Sequence, residues 1–291
     1  MAAQEVELIG LYWTLSGPVE VHTGREWSLF DLPERCAEAA KAGFKGIGIW
    51  HADLEHQLEK RSLREMRQIL DDHGIGPIEL EFLMDWFLDE DDERRKEADR
   101  IRRMVFEAAE VLPTHHIKVG NIPAAPCPLP KLTEKFAELC ADAARHTDAK
   151  VAYEIMPFDP NVTSLQAVIE LAEGAAAPNG GIAIDTWHMG KLRIAPGELR
   201  AIPIQYLSWV ELSDGQREDM PDFVNETINH RRLPGEGEFE VHRYVEVIRD
   251  MGYAEPWGVE VLSEELRNLP MEEIFKRAYE TTAAQFGGEL R

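Results

Sequence analysis

Positive charge is scarce in this chain. Thirty-one Lys and Arg stand against 54 Asp and Glu, for a formal net charge of −23. Such a surface repels polyanions, so no nucleic-acid partner is expected. Much of the acid reads as solvated surface. The run at 89–93, for example, stands where a loop feeds a helix, and negative side chains suit a helix N-terminus. Cysteine is also rare. Cys36, Cys127 and Cys140 are odd in number and show no CxxC spacing, which argues for reduced thiols of a cytosolic protein and against a disulfide framework. No run approaches the ~20 apolar residues of a membrane span, and residues 1–9 lack the basic and apolar regions of a signal peptide. A cytoplasmic protein with no membrane partner is expected. No GxGxxG turn follows the first apolar strand, which removes the usual dinucleotide-binding reading. No linker or shift in composition divides the chain, so 1–291 is read as one domain.

What is present is a regular alternation. Strand patterns fall at 5–14, 44–50, 78–82, 116–121, 151–156, 181–186, 207–213 and 257–262. Helical patterns fall at 29–42, 62–73, 91–112, 131–146, 164–175, 196–201, 241–251 and 271–286. Strict alternation implies parallel strands, because each return needs a crossover. Eight units in 291 residues predict a single (β/α)8 barrel, with its site at the C-terminal ends of the strands.

Four of those strand ends carry an acid: Glu154, Asp185, Glu211 and Glu260, at gaps of 31, 26 and 49 residues. Alternate strand residues face opposite sides. Val151, Tyr153 and Ile155 share one phase, and Ala152 shares the other with Glu154. Ile182 and Ile184 oppose Ala183 and Asp185, while Trp257, Val259 and Val261 oppose Gly258 and Glu260. Large apolar side chains suit the face packed on helices, so these three acids point into the barrel mouth. Glu211 shares its phase with Trp209 and Ser213, which makes its direction less clear. Like charges held together resist joint ionisation unless a cation neutralises them. An all-oxygen set favours one hard divalent ion, Mn²⁺ or Mg²⁺.

These residues resemble the xylose isomerase-like barrels, a family of sugar isomerases and epimerases, ketoinositol isomerases and inosose dehydratases with a related endonuclease IV branch. The likeness is sharpest in Glu154-x-x-Pro157, in Ile184-Asp185-Thr186-Trp187-His188, in Glu211-Leu212-Ser213-Asp214, in 231–237 (RRLPGEG) and in Gly258-Val259-Glu260. The resemblance implies metal ligands at Glu154, Asp185, Glu211 and Glu260, with Glu211 standing where the pattern usually has His. It implies that His188 and Arg231 hold substrate oxygens. Ending or flanking barrel strands, His51, Glu81 and Asn121 are further candidates to line the pocket, and Trp13, Trp50, Trp86 and Trp187 could form apolar walls. Family members often form dimers or tetramers, so a homo-oligomer is compatible with the likeness, although no stretch marks an interface.

The implied reaction is metal-assisted proton transfer on a small polyhydroxy carbonyl compound, with Glu154 and Glu260 taking and returning the proton. Return to the other face gives an epimerase, and return to the neighbouring carbon gives an isomerase. Loss of a β-hydroxyl from the same enolate gives a dehydratase or lyase. An endonuclease would need more His ligands and a basic groove. A non-catalytic sugar-binding barrel would bind sugar without metal.

Overall fold

The computed structural model describes residues 6–287. Eight parallel strands close on themselves in chain order: β1 Leu8–Gly10, β2 Gly46–Trp50, β3 Ile78–Leu83, β4 Thr114–Val119, β5 Lys150–Glu154, β6 Gly180–Asp185, β7 Leu207–Leu212 and β8 Trp257–Val259. Pairing of β1 with β8 (Leu8 with Trp257, Gly10 with Val259) completes the ring. Helices fill the crossovers, so the chain is a single (β/α)8 barrel.

The helices begin and end where local chemistry allows. Ser62 starts Leu63–Asp72 with a reciprocal cap: its hydroxyl accepts from Glu65 N–H and the Glu65 carboxylate accepts from Ser62 N–H. Leu32–Ala42 stops at Gly43, whose φ of 114° belongs to the left-handed region. The outer layer packs Val151, Tyr153, Ile182, Ile184, Val210 and Val259 against helices in one continuous core. The barrel interior holds a smaller cluster of Ile9, Leu11, Ala152, Ala183 and Trp209.

Trp209 therefore lies inside, although its bulk argues for the helix-packed face. The pairing of β6 with β7 slips at Ser208, because Ile182 pairs with Leu207 while Ala183 pairs with Trp209. That irregularity turns Trp209 and Glu211 inward and leaves Val210 and Leu212 in the outer core. Its neighbours are small because the indole needs their space. A Cβ on Gly258 would come within 2.8 Å of the Trp209 ring.

The first and last expected strands are much shorter than read. The apolar run at 5–14 yields strand only to Gly10, then a helical turn at Tyr12–Leu15. Thr14 fastens that turn across the seam, donating to Val259 O at 2.8 Å and accepting from Val261 N–H at 2.8 Å. The last strand stops at Val259 for the same reason. His51 begins a helix, His51–Leu58, that the sequence pattern did not indicate. Cys36, Cys127 and Cys140 are all free and buried, and burial pushes the thiols of Cys36 and Cys140 up to about 12, which suits inert core residues. No described helix is long and apolar enough to cross a membrane.

Candidate active site

Glu154, Asp185, Glu211 and Glu260 converge at the C-terminal mouth. Each can offer one oxygen such that all four oxygens lie within 4.8 Å of one another. Glu154 and Asp185 end β5 and β6, Glu211 lies in β7 and Glu260 follows β8. Register carries them to one level, since Asp185 pairs with Glu211 and Glu211 with Gly258. All four are almost wholly buried, at 0–4% exposed.

Two cations reach into this group. Lys118, on β4, donates to Glu211 Oε1 at 2.9 Å and to Glu260 Oε1 at 2.7 Å. It also lies 3.1 Å from Glu81 Oε2 and 3.6 Å from Glu79 Oε1. Arg231 donates to Asp185 Oδ2 at 2.6 Å and to Glu260 Oε2 at 3.4 Å, and its guanidinium sits 4.7 Å from the centre of the Trp187 ring. Trp209 Nε1–H donates to Glu211 Oε1 at 2.8 Å. Asp185 is further held by Ser213 Oγ at 2.6 Å and by Trp187 N–H at 2.8 Å, so it also caps the helix Thr186–Lys191.

The model of the xylose isomerase-like TIM barrel family matches residues 36–284. The chain belongs to that family. Among its relatives, 3-dehydroshikimate dehydratase of Pseudomonas putida is 27% identical over 240 residues, which cover 82% of this chain and 37% of that protein. The barrel thus spans little more than a third of the dehydratase. Inosose isomerase of Halalkalibacterium halodurans is 25% identical, over 83% of this chain and 86% of that protein. The solved IOLI protein with a binding zinc atom superposes with a TM-score of 0.79 at 17% identity, over 98% of this chain and 99% of that one. At that identity the superposition speaks for the fold alone. The dehydratase and the isomerase are both enzymes.

In this member of the family, burial and charge set the carboxylates apart. Burial raises Glu154, but Lys118, His188 and Arg231 outweigh it and hold the group at about 2. Burial pushes Glu211 well above the usual carboxylate range, with Lys118 opposing and Glu260 reinforcing. It raises Glu260 too, against the pull of Lys118. Glu81 is likewise pushed well above its ordinary value by burial. Glu79 is held below its own, because Lys118 and His116 outweigh burial.

The donor set fits a divalent cation. The buried acids around the mouth outnumber the cations Lys118 and Arg231 that reach them. Glu154 Oε1 and Glu211 Oε2 are buried without a hydrogen-bond partner, a costly state that an ion would relieve. The four oxygens suit Mg²⁺ or Mn²⁺. The overlapping group of Glu154, Asp185 and His188 adds an imidazole, which suits Zn²⁺ as well.

The remaining candidates fall in different places. His188 Nε2 lies 3.1 Å from Glu154 Oε1, out of hydrogen-bond alignment, and 3.7 Å from Asp185 Oδ2. His51 accepts from Phe82 N–H at 3.4 Å and packs on Trp50, and burial pushes it down to about 4. It stands against the apolar wall of Tyr12, Trp13, Trp50, Phe82, Met156 and Leu262 through Trp50 and Phe82. Asn121 is committed to its own loop: its amide donates to Ala125 O and Asp159 Oδ1 and accepts from Ala125 N–H. Of the tryptophans, Trp13 and Trp50 line the mouth and Trp187 backs Arg231, whereas Trp86 packs in the outer core. Sequence reasoning missed Lys118, Glu79 and His116. The signal was there in the phase, because Ile117 and Val119 point to the outer core and Lys118 must then face inward.

Proposed function

We propose that this enzyme catalyses proton transfer next to the carbonyl of a small polyhydroxylated carbonyl compound, as an isomerase or epimerase of a keto sugar or ketoinositol. The observation that carries the reading is the convergence of four buried carboxylates with two of them electrostatically distinct. Glu154, Asp185, Glu211 and Glu260 would hold a divalent ion, which when bound polarises the carbonyl and makes the adjacent C–H more acidic. Glu154, ionised beside Lys118 and His188, is the group placed to take that proton. Glu260, whose acid form burial favours, suits its return. Arg231 and His188 supply donors for substrate oxygens, and the Trp13–Trp50–Phe82 wall excludes water from the enolate.

A second reading is a dehydratase, in which Glu260 protonates a departing β-hydroxyl. The likeness to 3-dehydroshikimate dehydratase favours it. Both readings begin with the same C–H cleavage. Incubation with ketohexoses, inososes or 3-dehydroshikimate in D2O, with Mn²⁺, Mg²⁺ or Zn²⁺ added, should show deuterium uptake or loss of water by proton NMR. E154Q and E260Q should each lower the rate at least ~100-fold without changing the circular dichroism. No exchange and no elimination with any of these compounds, from a protein that binds none of the three metals, would sink the proposal.

A further inference from the structure

Position 211 presents a carboxyl group, anionic once it binds a metal, where the family resemblance calls for a neutral ligand, and that charge is met from across the barrel. Lys118 is 1% exposed. It stands on the strand beside Glu154's own, one pleat deeper, paired with Ala152. From there its ammonium reaches Glu211, Glu260 and Glu81 together, at 2.9, 2.7 and 3.1 Å. Glu211 is thereby fixed through one oxygen, Oε1, which takes both the lysine and the Trp209 N–H, while Oε2 is buried without a donor and the carboxyl lies against that of Glu79. A carboxylate tied in this way keeps one oxygen for a ligand.

We propose that Lys118 and Glu211 work as a single unit of zero net charge, standing in for a neutral ligand at this corner of the metal site, with Lys118 as its positioning residue. The inference rests on the metal-site reading above. A lysine fixed between two ligands repels a divalent ion unless both ligands carry charge, so the two side chains constrain each other. Removing the charge at 211 alone leaves Lys118 in surplus. Removing both restores the balance.

Direct metal titration separates this from a merely structural role. Binding of Mn²⁺ to the purified protein, followed by the electron paramagnetic resonance of the free ion, gives an affinity that does not depend on turnover. E211H should bind Mn²⁺ at least ~10-fold more weakly than wild type, the scale seen when groups around a metal site are changed. K118M/E211H should recover to within about 3-fold of wild type, a non-additive result that only compensation produces. The isosteric pair E211Q and K118M/E211Q should repeat the pattern if either His variant fails to fold. A double variant as weak as its single Glu211 parent, or weaker, overturns the coupling while leaving the metal site standing. A wild type that binds no Mn²⁺, Mg²⁺ or Zn²⁺ overturns the metal reading itself and this inference with it.

Discussion

His116 lies at the floor of the polar interior, 0% exposed, hydrogen-bonded at 2.8 Å to the Glu79 carboxylate and packed 4.0 Å from the Trp209 ring. Burial pushes it down to about 4, against about 6.5 for the free side chain. Between those two values the unfolded chain binds a proton that the folded protein refuses. Stability is therefore fully present above about pH 6.5 and falls as the pH drops toward 4, by on the order of 3 kcal/mol for this one group. A melting temperature measured from pH 8 to 4 should hold level at first and then decline, and H116Q should decline less steeply over the same range. Glu154 acts lower down, since its depressed pKa stabilises the fold above the ordinary Glu value and loses that contribution as pH falls toward 2. The parity of side chains along β5, β6 and β8 was enough to aim Glu154, Asp185 and Glu260. It could not settle Glu211, because the slip at Ser208 is a property of the paired strands and not of one strand's sequence.

At the scale of elements, the loop that follows β7 governs Arg231. Asp214 gathers it, with Oδ1 accepting from Gly215 and Phe239 N–H at 2.8 and 3.0 Å and Oδ2 from Gly235 N–H at 3.0 Å. Gly237 lies so close that a Cβ there would meet Asp214 Oδ1 at 2.2 Å. Backbone bridges from Asp214 to Arg232 and from His230 to Ser263 fix the stretch on either side of Arg231. D214A should free this loop, raising KM about 10-fold with a smaller effect on kcat, because the arginine's aim relaxes while Glu154 and Glu260 stay. D214N keeps an acceptor oxygen and should fall between the two. The RxLPGEG pattern marked this turn from sequence. The acid that organises it was quoted only as part of the Glu211 motif, since a carboxylate accepting three backbone N–H groups looks like any other acid until the loop is folded.

At the scale of the molecule, the eightfold alternation placed every strand, with errors confined to the strand ends. What strand phase alone does not give is how the interior fits together, where Glu79, His116, Lys118 and Trp209 take positions an apolar filling would occupy elsewhere. Outside, the charge of −23 acts collectively. Self-repulsion of that size destabilises the compact state and is screened within about 8 Å at physiological salt. Raising NaCl from 10 to about 150 mM should raise the melting temperature by a few degrees, and the protein should not retard double-stranded DNA even at the lower salt. A melting point that falls over that range would mean that attractive surface pairs outweigh the repulsion.

The barrel's seam has a consequence for how the chain could be divided. All four clustered acids and Arg231 come from β5 onward, in the second half of the chain, while the lysine that neutralises two of them comes from β4, 93 and 142 residues upstream of its partners. Thr14 clasps residues 245 and 247 positions away. The C-terminal half of a barrel cut after β4 would carry the four clustered acids with Arg231 and leave Lys118 on the other fragment, beside Glu79 and Glu81. Such fragments should recognise each other through the ion pairs that Lys118 makes across the cut, so that neither folds to a site alone and mixing the two rebuilds it.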